Sequence, residues 1–232
     1  MTFIPRHFQF LSERRHKHAV VLGRLFKIHP SFTDTVADLL VSTPVDGRDA
    51  SGELSAVFSV VFISESVHEW NEEILLAIGK VVRAKLKLSM ADNQTEGRFE
   101  ECIERIKFVH YHQYVEALLA ATMVLDTFPY GGCLTAHDAL SNGIPMVTMP
   151  LEHVRGRYTY GMYHQMSHTD LIANSKAEYV SLALRLLHDP EFRNTQSIAI
   201  MHKFSNNIHK NHMVAQEWLT FIFKSWTSQY AL

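Results

Sequence analysis

Two adjacent glycines mark the place in this sequence where the backbone is best suited to chemistry. Gly131 and Gly132 lie between a predicted strand that ends near Asp126 and a predicted helix that opens near Thr135, in a chain with only 10 glycines. A glycine turn that enters a helix presents free N–H groups and the positive end of the helix dipole, which together bind phosphate without a metal. Because glycine loops at strand–helix junctions are common, a tight turn without a ligand is an equally good interpretation. The spacing matches neither the GxGxxG dinucleotide fingerprint nor a P-loop.

Two charged side chains could complete a phosphate site at this turn. Asp138 lies three residues after Thr135, so the pair could form a capping box that only satisfies helix amides. Alternatively, a carboxylate one turn into the helix could accept hydrogen bonds from a ribose. Lys27 directly follows the first predicted strand, and we expect it at the same rim of the sheet. It could neutralise phosphate, although most single lysines are simply solvated.

Strands and helices alternate along most of the chain. Hydrophobic periodicity predicts strands at residues 19–26, 56–63, 106–110, 123–128 and 145–150, and helices at 30–43, 70–88, 114–121, 134–142, 158–166, 176–188 and 212–228. Residues 43–54 and 91–97 are predicted to be polar connections. This order favours an α/β fold, a Rossmann-like parallel sheet with helices on both faces and ligands at the carboxyl ends of the strands. We predict one domain over residues 19–232, preceded by an N-terminal extension of residues 1–18.

Composition excludes several classes of protein. The 232 residues are 47% hydrophobic and 20% charged, which is typical of a folded chain rather than a disordered one. The formal charge of −2 gives no general electrostatic footprint for nucleic acid, so we expect no nucleic-acid partner. The longest apolar stretch, residues 54–63, is too short to cross a membrane, and residues 1–18 become charged too early for a secretory signal. We therefore expect a cytoplasmic protein, with the nucleus as a second possibility, and no membrane partner.

The cysteines and histidines do not have the spacing of a metal site. Cys102 and Cys133 form no ligand pattern and no disulfide framework, which fits a reducing compartment. The 15 histidines are scattered, and although His164 and His168 fall one helical turn apart, the carboxylate that accompanies such a pair in a helical zinc site is absent. Structural or surface roles are the favoured interpretation. We expect no metal and no cofactor.

The amino-acid sequences of several segments resemble those of a known family. Residues 125–150, LDTFPYGGCLTAHDALSNGIPMVTMP, followed by EHVRGR at 152–157, resemble the C-terminal catalytic lobe of the protein O-GlcNAc transferases, a family that includes the SPINDLY-type O-fucosyltransferases. FKIHPSF at residues 26–32 is similar to the family's segment around its pyrophosphate-binding lysine, and residues 105–132 keep the family's order of strand, helix and strand. The resemblance runs from about residue 19 to the C-terminal region and is weakest between residues 43 and 100.

The resemblance implies a single C-terminal lobe of a GT-B glycosyltransferase. Carried over by position, Lys27 would contact the pyrophosphate as the catalytic cation, and Asp138 would bind ribose. The donor diphosphate would be held by the glycine turn and the start of the helix, namely Gly131, Gly132, Cys133, Leu134 and Thr135. Cys133 stands where relatives carry histidine or glycine and Leu134 where many carry threonine, so one side-chain phosphate contact is expected to be missing. Arg157 matches a recurrent arginine to which no role is assigned.

The function implied is transfer of GlcNAc from UDP-GlcNAc to Ser or Thr hydroxyls of an acceptor protein, with inversion and without a metal. A protein O-fucosyltransferase that uses GDP-fucose is one alternative, and a catalytically silent nucleotide-binding or regulatory lobe is another. A phosphorylase or epimerase is a less favoured third. Because 232 residues accommodate only one lobe, we expect a missing N-terminal catalytic lobe or a partner chain to complete the cleft. The apolar face of helix 212–228 could pack across both lobes, or the helix could be an ordinary terminal one on its own domain.

Overall fold

A computed structural model describes residues 16–43, 57–65, 67–209, 211 and 213–230. Residues 1–15, most of the predicted N-terminal extension, and residues 44–54, nearly all of the predicted first polar connection, lie outside the described residues. The first strand already begins at His16, within the stretch assigned to the extension.

The described residues form one five-stranded parallel sheet, which confirms the predicted α/β, Rossmann-like fold. Its order is β3-β2-β1-β4-β5. The strands are β1 (His16–Val21), β2 (Val57–Ser64), β3 (Ile106–His110), β4 (Met123–Leu125) and β5 (Met146–Val147). The order reverses between β1 and β4, so the crevice outside the carboxyl ends of these two strands is the expected ligand site of such a sheet.

Nine helices connect and flank the strands within the described part of the chain. They are α1 (Pro30–Ser42), α2 (His68–Ser89), α3 (Asp92–Glu104), α4 (Tyr114–Leu119), α5 (Leu134–Ser141), α6 (Tyr158–Gln165), α7 (Lys176–His188), α8 (Pro190–Phe204) and α9 (Met213–Tyr230). Right-handed crossovers that run in opposite directions from the centre of the sheet place their helices on opposite faces. Accordingly α1 packs with α2 and α7, whereas α5 packs with α8.

Two helical segments differ from the prediction. Most of the predicted connection at residues 91–97 belongs to helix α3. The buried positions of this helix are Thr95 and Cys102 rather than large apolar residues, so the sequence shows no helical repeat of hydrophobic residues there. Helix α8 was not predicted, because the polar Gln196 occupies a buried position of its apolar stripe, one turn before Ile200.

An aromatic cluster connects three elements beneath the switch point of the sheet. The Phe32 ring of α1 lies 5.4 Å from that of Phe128, which follows β4, and the Phe128 ring lies 5.6 Å from that of Tyr179 on α7. The Tyr179 hydroxyl donates to the Asp126 carbonyl at 3.0 Å. All three rings are buried, so the segment after β4 is fixed from below by packing and from the side by a hydrogen bond.

Candidate functional site

A cavity of about 330 Å³ opens at the carboxyl ends of β1, β2 and β3. It lies beside the switch point and is closed on one side by the first turn of α5. Its lining residues are Leu22, Gly23, Arg24, Ile63, Glu65, Tyr111, Tyr114, Leu134, Thr135 and Asp138. Three of the seven predicted site residues, Leu134, Thr135 and Asp138, therefore line one cavity, while Lys27, Gly131, Gly132 and Cys133 are not among its lining residues.

The glycine bend is built on a buried carboxylate. The Gly132 amide donates to Asp126 Oδ1 at 2.8 Å, and Asp126 Oδ2 accepts from the Thr148 hydroxyl at 2.7 Å. The Gly131 amide donates to the Arg155 carbonyl at 3.0 Å. Both glycine amides are thus used inside the protein, so the expected phosphate contacts of this turn cannot include them in this conformation.

Close approaches explain why the bend contains two glycines. A Cβ at Gly132 would lie 2.7 Å from Thr135 Oγ1, and a Cβ at Gly131 would lie 3.1 Å from Asp126 Oδ1. Burial raises the pKa of Asp126 to about 6, although the hydrogen bonds from Gly132 and Thr148 act in the opposite direction. A buried acid therefore determines the shape of the bend.

The amides that remain for a ligand belong to the first turn of α5. The helix begins at Leu134, its N-cap is Cys133, and no side chain caps it. Its first intrahelical hydrogen bond runs from the His137 amide to the Cys133 carbonyl. Leu134 and Thr135 belong to the cavity lining. Their backbone amides donate no hydrogen bond to any acceptor among the described residues. Unpaired N–H groups at a helix start are an anion-binding arrangement.

Lys27 stands beside the bend rather than in the cavity lining. It ends a 3₁₀ turn formed by Leu25–Lys27, and its Nζ lies over the Tyr130 ring at 4.1 Å from the centroid and 5.7 Å from that of Phe26. Tyr130 immediately precedes Gly131. No carboxylate of the described residues forms an ion pair with Lys27, so its charge faces only aromatic rings and solvent.

Asp138 makes a contact that the sequence did not predict. Its Oδ2 accepts a hydrogen bond from the Tyr114 hydroxyl at 2.9 Å. Burial, together with the Asp138 carboxylate, holds the pKa of Tyr114 well above its usual value, so this hydroxyl remains a donor. The capping-box interpretation of Thr135 and Asp138 is wrong, because Cys133 and not Thr135 is the N-cap.

Sequence reasoning missed four residues that line the cavity. The rings of Tyr111 and Tyr114 lie 6.3 Å apart and 32° from parallel, and Tyr111 is 56% exposed. Arg24 forms an ion pair with Glu65 at 3.2 Å. Glu65, Tyr111 and Tyr114 follow the carboxyl ends of β2 and β3, so the rule that identified Lys27 would have identified them had it been applied to these strands. Arg24 was missed because the predicted first strand ran to residue 26, whereas β1 ends at Val21.

The segment EHVRGR supports the bend from the other side. A Cβ at Gly156 would lie 2.5 Å from the Pro129 carbonyl oxygen, so this glycine is required by close approach. Arg157 donates to the Leu151 carbonyl at 2.9 Å, and its guanidinium lies 4.3 Å from the Tyr160 ring centroid. These contacts give Arg157 a structural role in shaping the loop.

The described residues were also compared with the requirements of a metal site and of a membrane-spanning helix. No group of three or more His, Cys, Asp or Glu side chains in these residues is arranged to hold a metal ion. In the same part of the chain, no helix combines the length and apolar character needed to cross a membrane.

Two solved structures share the architecture of this chain. A mutant O-GlcNAc transferase from Thermobaculum terrenum aligns with 94% of this chain at a TM-score of 0.67 and 19% identity, and the alignment covers 38% of that protein. A UDP-forming trehalose-phosphate synthase from Burkholderia xenovorans aligns with 86% of this chain at a TM-score of 0.51 and 15% identity, over 42% of its own length. At these identities the matches establish the fold, that of one lobe of a GT-B glycosyltransferase.

Sequence relatives are more specific, although they match over short stretches. A UDP-N-acetylglucosamine–peptide N-acetylglucosaminyltransferase from Caenorhabditis elegans is 39% identical over 71 residues, 31% of this chain and 6% of the relative. The probable UDP-N-acetylglucosamine–peptide N-acetylglucosaminyltransferase SPINDLY from Oryza sativa is 33% identical over 88 residues, which are 38% of this chain and 10% of the relative. These stretches thus amount to a tenth or less of the curated relatives' length.

A family model describes the part of the chain that carries the bend. It matches residues 100–215, from the middle of α3 to the start of α9, which is half of the chain. The matched segment contains the bend, the first turn of α5 and Asp138, while Lys27 lies outside it. The resemblance predicted from the motif at residues 125–150 is confirmed, and the chain belongs to glycosyl transferase family 41.

Proposed function

We propose that this chain is the donor-binding lobe of a protein O-GlcNAc transferase, which transfers GlcNAc from UDP-GlcNAc to Ser or Thr hydroxyls. The observation that carries the proposal is the pair of unbonded amides at Leu134 and Thr135, two residues of the cavity lining, together with the Lys27 ammonium over the ring of Tyr130, which precedes the glycine bend. Family membership and the printed activity of the relatives support the choice of reaction.

The diphosphate would bind at the start of α5. Two amides and the positive end of the helix dipole attract an anion there, and Lys27 adds a full positive charge from the neighbouring turn. Lys27 does not have to break an ion pair to bind phosphate, because only the rings of Phe26 and Tyr130 contact it. Arg24, on the cavity wall, offers a second cation, although it would have to share or leave Glu65.

The nucleoside would extend from the diphosphate along the cavity towards β3. Tyr114 occupies one oxygen of Asp138, which leaves Oδ1 to accept a hydrogen bond from a ribose hydroxyl. Beyond Asp138, the half-exposed ring of Tyr111 and the neighbouring ring of Tyr114 offer flat apolar surfaces for a base. The order phosphate, ribose and base thus follows the order of the residues along the cavity.

The chemistry follows from the charge that develops on the leaving group. When an acceptor hydroxyl displaces the nucleoside diphosphate with inversion at the sugar carbon, negative charge accumulates on the diphosphate. Preorganised amides and Lys27 would stabilise this charge without a metal, and such stabilisation is often the largest contribution to catalysis. Neither a cofactor nor a divalent cation is part of the proposal.

The acceptor side of the reaction belongs to another part of the enzyme. The chain covers 38% of the solved Thermobaculum transferase, so a second lobe, from the same protein or from a partner chain, would bring the acceptor protein and its general base. The same limited coverage favours one alternative, a lobe that binds nucleotide but is catalytically silent. The two free cysteines, Cys133 being exposed, support a reducing compartment such as the cytoplasm.

Calorimetric titration of UDP, UDP-GlcNAc, GDP and GDP-fucose tests the proposal directly. We expect saturable binding of UDP and UDP-GlcNAc, and weaker binding of the guanine nucleotides. Lys27→Ala should weaken UDP binding about tenfold, since it removes a charge-assisted phosphate contact worth roughly 1.5 kcal/mol. It should leave uridine binding unchanged.

Lys80→Ala is the matched control, because Lys80 is an exposed lysine of α2 outside the cavity lining. Equal UDP affinity of Lys27→Ala and Lys80→Ala would remove Lys27 from the site. Failure of every nucleotide to bind at millimolar concentration would refute the donor-lobe proposal.

A further inference from the structure

Two aromatic rings contact the side chain of Lys27. Its ammonium lies 4.1 Å from the centroid of the Tyr130 ring and 5.7 Å from that of Phe26. A cation within about 6 Å of a ring centroid is attracted by the negative face of the ring. The Phe26 ring in turn lies 5.3 Å from the ring of Trp70 on α2. Tyr130 is therefore the main contact of the ammonium, and Phe26 lies near the limit of the interaction.

Tyr130 belongs to the segment that forms the glycine bend. Its carbonyl accepts a hydrogen bond from the Thr127 hydroxyl. The next residue, Gly131, donates its amide to the Arg155 carbonyl at 3.0 Å. Hydrogen bonds thus hold the backbone on both sides of the Tyr130 side chain, so the contact between the ring and the ammonium connects Lys27 to the bend.

An aromatic partner suits a cation that has to bind an anion. A carboxylate beside Lys27 would repel an incoming diphosphate, and no carboxylate of the described residues forms an ion pair with this lysine. A ring face attracts the ammonium without carrying a net charge, and the ammonium has three N–H donors, so donors remain for phosphate. A lysine that is already ordered also loses less side-chain entropy when the ligand arrives.

We propose that Tyr130 is a positioning residue, whose ring holds the Lys27 ammonium beside the glycine bend before the diphosphate binds. The inference rests on the proposed function, because it concerns the lysine that was assigned to the diphosphate there. The ring acts through Lys27 and does not itself contact the nucleotide. The opposite role, a ring that keeps Lys27 away from the ligand, would make removal of the ring strengthen binding.

Calorimetric titration of two Tyr130 variants tests the role of the ring. Tyr130→Leu removes the ring but keeps an apolar side chain, whereas Tyr130→Phe keeps the ring and removes the hydroxyl. We expect Tyr130→Leu to weaken UDP binding about three- to fivefold and Tyr130→Phe to bind UDP as the native chain does. Uridine binding should not change in either variant, because uridine carries no phosphate.

Tyr158→Leu is the matched control. The exposure of Tyr158 is 42%, close to the 38% of Tyr130, and Tyr158 is not among the cavity-lining residues. Its replacement should leave UDP affinity unchanged. Circular dichroism and melting temperature show whether each variant is folded.

A double-mutant cycle distinguishes action through Lys27 from a general effect on the bend. In a Lys27→Ala background, Tyr130→Leu should weaken UDP binding no further. An equal loss in both backgrounds would overturn the positioning role. A loss of uridine affinity in Tyr130→Leu would overturn it too, because the ring would then contact the nucleoside. Unchanged or tighter UDP binding by Tyr130→Leu alone has the same consequence.

NMR spectroscopy of the ligand-free chain tests the contact without a nucleotide. The ring current of Tyr130 should shift the ε-methylene resonance of Lys27 upfield of those of the other lysines. The shift should persist in Tyr130→Phe and disappear in Tyr130→Leu, and Lys27→Arg assigns the resonance. A Lys27 resonance at the position of exposed lysines would overturn the proposal.

The outcomes separate this inference from the proposed function. If Lys27→Ala weakens UDP binding and Tyr130→Leu does not, the role of Tyr130 is wrong and the donor-lobe proposal stands. If the native chain binds no nucleotide, the donor-lobe proposal is wrong, and the role of Tyr130 is wrong with it.

Discussion

Asp126 lies under the glycine bend and connects it to the residue that follows β5. One oxygen accepts from the Gly132 amide and the other from the Thr148 hydroxyl. The two glycines then fit only because neither carries a Cβ. On one side of this fixed bend the Lys27 ammonium lies over the Tyr130 ring, and on the other side α5 begins with Leu134 and Thr135 in the cavity lining. The buried Asp126, which is not one of the cavity-lining residues, therefore fixes the bend that leads into α5.

At the residue scale, a methyl group at the bend has a predictable cost. Gly132→Ala brings a Cβ to 2.7 Å from Thr135 Oγ1 and 3.3 Å from the Ala136 amide nitrogen. The first turn of α5 must shift, so we expect a loss of roughly 1–3 kcal/mol in the free energy of unfolding and weaker UDP binding. Urea denaturation and titration of the same samples measure the two effects.

Gly97→Ala is the control for this substitution. Gly97 lies inside α3, and a Cβ there meets no atom within 4 Å. Alanine should stabilise the helix by about 0.5–1 kcal/mol and leave UDP binding unchanged. If Gly132→Ala and Gly97→Ala shift stability in the same direction, the close approach at the bend does not exist in solution.

The raised pKa of Asp126 predicts a pH dependence of stability. In the folded chain its pKa is about 6, compared with 3.8 for an ordinary Asp, so between these values the folded state binds more protons than the unfolded state. Stability from this group is therefore complete below pH 3.8 and is lost as the pH rises through 6. The difference amounts to roughly 3 kcal/mol.

Asp126→Asn isolates this contribution, because Asn stays neutral while the other titrating groups act equally in both proteins. From pH 4 to pH 7, the free energy of unfolding of the native chain should fall relative to that of the variant. Denaturant titrations at several pH values measure the gap. Parallel pH profiles would show that Asp126 titrates normally, and a free energy of unfolding of the native chain that rises relative to that of the variant between pH 4 and pH 7 would contradict the sign of the shift.

At the scale of elements, two arginines hold the C-terminal end of α1. The buried Arg105 donates to the Leu40 carbonyl and, at 2.6 Å, to Thr43 Oγ1. Arg98 of α3 donates to the Val41 carbonyl at 3.2 Å. The last carbonyls of a helix have no intrahelical partner, so these side chains supply the donors. They connect α1 to the segment that ends α3 and enters β3.

Arg105→Ala should therefore destabilise the fold strongly. It leaves buried carbonyls without donors and opens a cavity, at a cost of about 3 kcal/mol in the free energy of unfolding. Arg105→Lys should recover only part of this, because an ammonium cannot reproduce the planar fork. Arg155→Ala, at an exposed side chain, should stay within about 0.5 kcal/mol of the native chain. Equal denaturation midpoints for Arg105→Ala and Arg155→Ala would contradict the role of Arg105 at α1.

The prediction of elements from sequence succeeded where a single pattern dominates. The strands are apolar and β-branched because they are buried, and α7 was predicted with its observed bounds, 176–188. Helix α3 was missed because Thr95 and Cys102 fill its buried face, and α8 because of the buried Gln196. Polar residues at packed positions remove the periodicity on which such predictions depend.

At the scale of the whole molecule, the position of the candidate cavity at the carboxyl edge of the sheet was predictable, but the hydrogen bonds around it were not. The carboxyl ends of β1 and β4 had to meet at the switch point, so Lys27 and the bend were expected to be neighbours. That Gly132 would donate its amide to Asp126 depends on the depth of a carboxylate in the core, which no local pattern encodes. The pairing of Tyr114 with Asp138 likewise requires the crossing of α4 and α5 in space.

Reconstitution tests whether this lobe supplies the donor half of a transferase. Incubated with UDP-GlcNAc and an acceptor peptide, the chain alone should bind donor without transferring sugar. Addition of the remaining catalytic lobe of a family 41 enzyme should give UDP release and a modified peptide, and Lys27→Ala in that mixture should lower kcat more than it raises KM. Donor binding with no transfer from the completed cleft would favour the silent lobe.

The contact between Gly156 and the Pro129 carbonyl has a practical consequence for protein engineering. The two loops touch so closely that position 156 accepts no side chain unless the Pro129 backbone moves. A designer who transplants the donor-binding loop into another parallel sheet must move both as a single cassette. Natural variants that alter one should likewise carry a compensating change in the other.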